Sequence, residues 1–285
     1  MQIDPDRISV QVLGPLAVYL GHRAVTPSAA KQRQILALLV LNAGRVVTVA
    51  TLAEELWGDS PPRCAATTLQ TYVLHLRNRL TPAGPAGRER TQLIQTRHSG
   101  YLLDAPSCET DIETFQRLAR AGRTAAEAGD HLAASDLLAR ALEMWWGPAL
   151  ADVPTGRVLQ LEVASLEGTR LGVLERRVEA DLALHRHADI VGELTLLAAR
   201  NPMNENFCGL LITALYRSGH VNLALEAFRR LRTVLATELG VEPCPRLQRL
   251  QRAVLSGDLA LETDEFSTQA ASGRPGPARA QRELR

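Results

Sequence analysis

Between residues 63 and 80 the chain carries side chains suited to touching a polyanion. At helical spacing Thr67, Thr71, His75 and Asn78 share one face with Leu74, while Thr68, Gln70, Arg77 and Arg79 lie at its flanks. Ala66, Leu69, Val73, Leu76 and Leu80 recur at steps of three or four and form the opposite, buried stripe. A helix face that is merely solvated usually carries Glu and Lys. This one carries hydroxyls, amides, imidazole and guanidinium, with no acid between Asp59 and Glu89. Such groups donate to phosphate oxygens and base edges. Arg77 and Arg79 point about 200° apart, so one faces a ligand while the other anchors a flank. Arg63, at the helix start, fits either a phosphate contact or plain solvation.

A second cationic feature follows. TQLIQT (91–96) and YLLDA (101–105) read as two strands joined by Arg97-His98-Ser99-Gly100. A hairpin tipped by Arg97 and His98 after a basic helix has the form of a wing. The helix would enter the major groove of double-stranded DNA, and Arg97 the minor groove. The competing reading for both features is an ordinary solvated surface.

The elements that must position these groups are legible around them. Residues 8–19 alternate as a strand and the start of a meander, with Pro15 at a turn or edge. Residues 30–41 give a helix stopped near Gly44. Thr48 is a candidate N-cap for a second helix, whose apolar face is Val49, Leu52, Ala53, Leu56 and Trp57, and Gly58 ends it. Residues 81–90 read as a flexible loop. From Asp111 to about Gly257 the pattern is helical throughout, interrupted at Gly129-Asp130, His185-Arg186-His187 and Gly219-His220. LHRHADIVGELTLLAARNP and YRSGHVNLALEAFRRLRTV align with His185 on Gly219, an offset of 34 residues that matches the tetratricopeptide period. The interval from Gly129 to His185 is 56 residues, so an insertion containing WWGPALADVP interrupts the array.

The expected fold is mainly α with a small β component. An N-terminal winged helix-turn-helix domain (1–105) precedes an all-helical, tetratricopeptide-like domain (106–260), and a disordered tail occupies 261–285. Tyr72, Tyr101, Trp57 and the Trp145-Trp146 pair are expected in cores or at domain contacts.

Of 285 residues, 46% are hydrophobic, which fits globular domains. The net charge of +1 conceals an asymmetry: residues 1–105 hold 11 Lys and Arg against 7 Asp and Glu, whereas residues 106–285 hold 21 against 24. Cys64, Cys108, Cys208 and Cys244 form no paired spacing, so reduced thiols are expected rather than a zinc or redox site. His185, His187 and His220 fall at turns and suggest no metal. There is no apolar run long enough to span a membrane and no signal-peptide pattern, which points to a cytoplasmic, nucleoid-associated protein. No GxSxG, HExxH or GxxxxGK[ST] occurs. Neither an enzyme nor a cofactor is expected. A DNA-binding regulator and a helical-repeat interaction module are the two readings left, and the basic helix with its Arg-tipped wing favours the first.

The ordered motifs resemble the Streptomyces antibiotic regulatory proteins in their short, two-domain form. The matching stretches are VLGPLAVYLGHRAV, KQRQILALLVLNAGRVVTVATLAEELWGD, SPPRCAATTLQTYVLHLRNRL and LIQTRHSGYLL, then DIETFQRL, MWWGPALADV, LYRSGHVNLALEAFRRLR and ELGVEPCPRLQRLQ. They cover roughly residues 8–255. The resemblance implies an OmpR-type winged helix followed by a bacterial transcriptional activator domain. It further implies a head-to-tail dimer on promoter direct repeats, recruitment of RNA polymerase holoenzyme and control of antibiotic genes, with activation rather than repression. The chain departs from the family at Leu74-His75, where a Ser-Arg pair is frequent, and at Asn78, where Lys or Arg is common. His98 stands where Pro often follows the wing Arg. Fewer cations on the helix imply weaker phosphate attraction or an altered base preference.

Overall fold

The computed structural model describes residues 8–81, 93–104 and 108–257. The expected tail, most of the loop at 81–90 and the expected junction near residue 106 lie outside the described residues.

β1 (Ile8–Gln11), β2 (Ala17–Leu20) and β3 (Arg23–Ala24) form the meander. α1 (Ala30–Leu41) follows, and its residues from Gln34 to Val40 are all buried, so it is the central helix of the first core. β4 (Val46–Thr48) leads into α2 (Val49–Trp57) and α3 (Ala65–Leu80). The hairpin consists of β5 (Ile94–Arg97) and β6 (Gly100–Leu103). β7 (Cys108–Thr110) precedes α4 (Asp111–Glu127), α5 (His131–Leu142) and α6 (Arg157–Ala183). α7 (His187–Arg200), α8 (Glu205–Arg217), α9 (Val221–Leu239) and α10 (Pro245–Ser256) complete the described chain.

Two sheets are present among the described residues, in the orders β3-β2-β1-β7 and β4-β6-β5. β7 pairs parallel to β1, with Ile8 opposite Cys108 and Val10 opposite Thr110. This strand is absent from the sequence-based expectation. Directly after it, the buried Asp111 carboxylate accepts from Val12 N at 2.9 Å and Leu13 N at 2.9 Å. Burial pushes its carboxyl above the usual carboxylate range, against the opposing pull of these backbone donors.

Contacts divide the chain into two compact units, and their limits do not fall at residue 105. The first unit holds the described residues up to Ala128 together with Asp136–Leu174, and the second holds Gly129–Ser135 and the described residues from Glu175 on. Hydrophobic packing explains the first unit's extent. Leu150, Val153 and Leu159 share one core with Leu52, Leu69 and Leu103, while Leu13 packs with Phe115, Leu138 and Trp145. The Phe115 and Trp145 rings meet edge-on with centroids 5.5 Å apart. Trp145 is buried as expected, whereas Trp146 is 53% exposed and lies over Gly14.

Glu55 of α2 adds a polar tie within this unit. It is 3% exposed. Its carboxylate accepts from Gly156 N and, at 2.9 Å, from Leu159 N, so an anion caps the first turn of α6. A Cβ on Gly156 would sit 2.2 Å from the Glu55 carbonyl oxygen, so the approach requires glycine there.

In the second unit α7 packs on α8, α8 on α9, and α9 on α10. α7 begins at His187 and α9 at Val221, which reproduces the 34-residue offset as helix starts. The turns correspond as well, since His185 (φ 59°) and Gly219 (φ 80°) both adopt the left-handed conformation. Asp181, beside Ser135, receives Arg177 and Arg186.

Candidate nucleic-acid interface

α3 is held from behind by Leu69, Val73, Leu76 and Leu80, all buried against the first core. Ala66, expected in that stripe, is exposed because it stands in the first turn, ahead of the packed segment. The helix in front is set by a cap: Thr48 Oγ1 accepts from Thr51 N at 3.0 Å, and α2 ends at Gly58 with φ 56°. α3 starts at Ala65, so Arg63 occupies the exposed turn before it rather than the helix itself.

Thr67, Thr71, Leu74 and Asn78 are exposed, and at 100° per residue they fall within an arc of about 60°. His75, Thr68 and Arg79 lie along one edge of that arc, and Gln70 and Arg77 along the other. Arg79 in the last turn also suits the negative end of the helix dipole. Two hydroxyls expected to donate outward donate inward. Thr68 Oγ1 gives its hydrogen to Cys64 O, and Thr71 Oγ1 to Thr67 O, each at 3.0 Å. Their lone pairs and methyl groups remain for a ligand.

Of the two arginines that point apart on α3, Arg77 is the one that anchors a flank. Its position on α3 makes it a candidate DNA donor, yet it is half-buried and turned toward the hairpin. Nε donates to Ile94 O at 2.9 Å and Nη2 to Thr96 Oγ1 at 2.7 Å, and the guanidinium lies 6.0 Å from the Tyr101 ring centroid. Arg77 therefore positions the wing. Tyr101 is buried and Tyr72 packs against the same core, as expected.

On the other edge, Gln32 Nε2 of α1 lies 3.3 Å from His75 Nδ1. With the amide donating, Nδ1 accepts and Nε2–H is left to face outward. No sequence signal links residues 43 positions apart in this way.

At the hairpin, Arg97 pairs with Gly100, so the turn consists of His98 and Ser99 alone. Arg97 and His98 are both exposed. Arg97 Nη2 donates to Gln95 Oε1 at 2.6 Å, which leaves the rest of the guanidinium outward. The hairpin is seated by Val49 N donating to Ser99 O at 3.0 Å. At Gly100 a Cβ would stand 2.0 Å from Val47 O, so only glycine lets β4 cross β6 there.

No group of three or more His, Cys, Asp and Glu that could hold a metal occurs among the described residues, and no described helix is long and apolar enough to cross a membrane.

Comparison with known proteins identifies both halves. Residues 24–103 match the family model described as "Transcriptional regulatory protein, C terminal", and residues 110–255 match "Bacterial transcriptional activator domain". The chain is 46% identical over 271 residues to "Regulatory protein DnrI" of Streptomyces peucetius, covering 93% of this chain and 98% of that protein. It is 38% identical over 268 residues to "Regulatory protein AfsR" of Streptomyces coelicolor, covering 94% of this chain but 26% of that longer protein. Among solved structures, Mycobacterium tuberculosis EmbR in complex with a low affinity phosphopeptide matches with a TM-score of 0.81 and 32% identity, covering 90% of this chain and 68% of that one. The winged helix, the helical array and these relatives together show that the chain belongs to the Streptomyces antibiotic regulatory protein family of transcriptional regulators.

Proposed function

We propose that this regulator activates transcription by binding direct repeats at promoters as a head-to-tail pair and recruiting RNA polymerase holoenzyme, with antibiotic or other secondary-metabolite genes as its targets. The observation that carries the DNA reading is the Arg77 bridge, which joins the acid-free outer face of α3 to the Arg97 hairpin. In this reading residues 1–105 are the DNA-binding module and residues 106–260 the activating one. Thr67, Thr71, His75 and Asn78 face the major groove. Arg63, Thr68, Arg79 and His98 serve the phosphate backbone, and Arg97 enters the minor groove.

One winged helix reads too few base pairs to select a promoter, so two copies are required. Copies in one orientation dock on the same face of the duplex, with repeats about 10–11 base pairs apart. Their contact is heterologous and needs no stable dimer in solution. Inserting five base pairs between the protected repeats tests this. Cooperative binding and activation should collapse, and a full-turn insertion should restore part of each. Unchanged binding after the half-turn insertion contradicts the tandem arrangement.

A further inference from the structure

Leu74 stands where the outer face of α3 calls for a polar group. It is 53% exposed. A lone exposed leucine needs no explanation by itself. This one lies between Thr71 and Asn78 along the helix, within about 50° of the point opposite the buried stripe, on one side of the arc assigned to the major groove. The exposed Gln70 and Asn78 amides flank it, and the other donors nearby are engaged. The Thr71 hydroxyl is committed to Thr67 O, the Thr68 hydroxyl to Cys64 O, and the Arg77 guanidinium to the hairpin. Beside those amides the helix presents an isobutyl group and the Thr71 methyl to a ligand. On the major-groove edges of the bases the apolar feature is the C5-methyl of thymine.

We propose that Leu74 reads a thymine methyl group and sets the base preference at one position of each half-site, a proposal that rests on the major-groove assignment of α3. Burying one methyl against an isobutyl group corresponds to about a fourfold gain in affinity.

The test uses the full chain and a duplex recovered by it from a random-sequence pool. Each thymine is then replaced singly by deoxyuridine, which keeps the hydrogen-bonding edge and removes the methyl. Wild type should lose about three- to tenfold at one or two positions. Leu74→Ala should bind thymine and deoxyuridine duplexes equally at those positions, matching wild type on deoxyuridine, while Leu74→Met should keep part of the discrimination. A deoxyuridine penalty that persists in Leu74→Ala overturns the proposal, as does wild type showing none at any position. Equal weakening of Leu74→Ala on both duplexes, beyond the wild-type deoxyuridine level, also overturns it and assigns Leu74 to another contact. If the chain enriches no sequence at all, the DNA reading itself fails.

Discussion

The Arg77 guanidinium donates to the Thr96 hydroxyl at 2.7 Å, so one side chain ties α3 to the β5–β6 hairpin. Arg77→Ala is expected to cost about 1–2 kcal/mol of stability, since two hydrogen bonds from a partly exposed cation are lost. It should also uncouple the wing. Arg97→Ala, which weakens specific binding in the wild type, should have little further effect in the Arg77→Ala background. A double-mutant cycle measured by anisotropy checks this, and full additivity denies the positioning role.

Glu55 should matter to folding far more than its surface count suggests. Glu55→Ala leaves the buried N–H of Leu159 and the part-buried N–H of Gly156 without their acceptor, at a cost of about 2–4 kcal/mol in urea unfolding. Glu54→Ala, one residue away and paired only with an exposed Arg157 at 3.9 Å, should change stability by less than about 0.5 kcal/mol.

The cysteines should react in a fixed order. Burial pushes the Cys108 and Cys208 thiols up to about 12, so both stay protonated and shielded at any pH the folded protein meets. Cys64 is exposed at the N-cap of α3, and Cys244 is partly exposed. An aromatic disulfide reagent should label Cys64 first, Cys244 more slowly, and the other two only on unfolding. Because that label carries a carboxylate to the start of α3, it should lower DNA affinity about tenfold, and Cys64→Ser should abolish the loss.

The repeat alignment supports a stabilising substitution. His185 holds a φ of 59° where the next repeat has Gly219 at 80°. His185→Gly should raise stability by about 0.5–1 kcal/mol, read from thermal unfolding, and an unchanged or lower midpoint contradicts this.

These features also mark what a sequence can reveal. The Thr48 cap, the Gly58 stop, the stripe from Leu69 to Leu80 and the helix spacing from His187 to Val221 are written in local periodicity and turn chemistry. β7 is not, because three residues from Cys108 acquire their strand character only by lying beside β1, about a hundred positions earlier in the chain. Glu55 has the same history: on α2 it reads as a surface acid, and its acceptor role exists only once α6 arrives. The face of α3 was legible as polar and free of acid. The division of labour within it was not. An arginine that binds DNA and one that holds a wing have the same spacing, and the inward hydroxyls of Thr68 and Thr71 depend on rotamers.

Sequence reading by the outer face of α3 is the proposal on which the DNA-binding roles of this helix depend. It is tested most directly by titrating the full chain, by fluorescence anisotropy at physiological salt, against a duplex it selects and a scrambled duplex of equal composition. Wild type should bind the selected duplex at least about a thousandfold more tightly. Asn78→Glu, a change at an exposed position that places an acid on this face, should bring both affinities down to the same weak value while unfolding normally. Equal wild-type affinity for the two duplexes, or an Asn78→Glu protein that keeps full discrimination, contradicts the account.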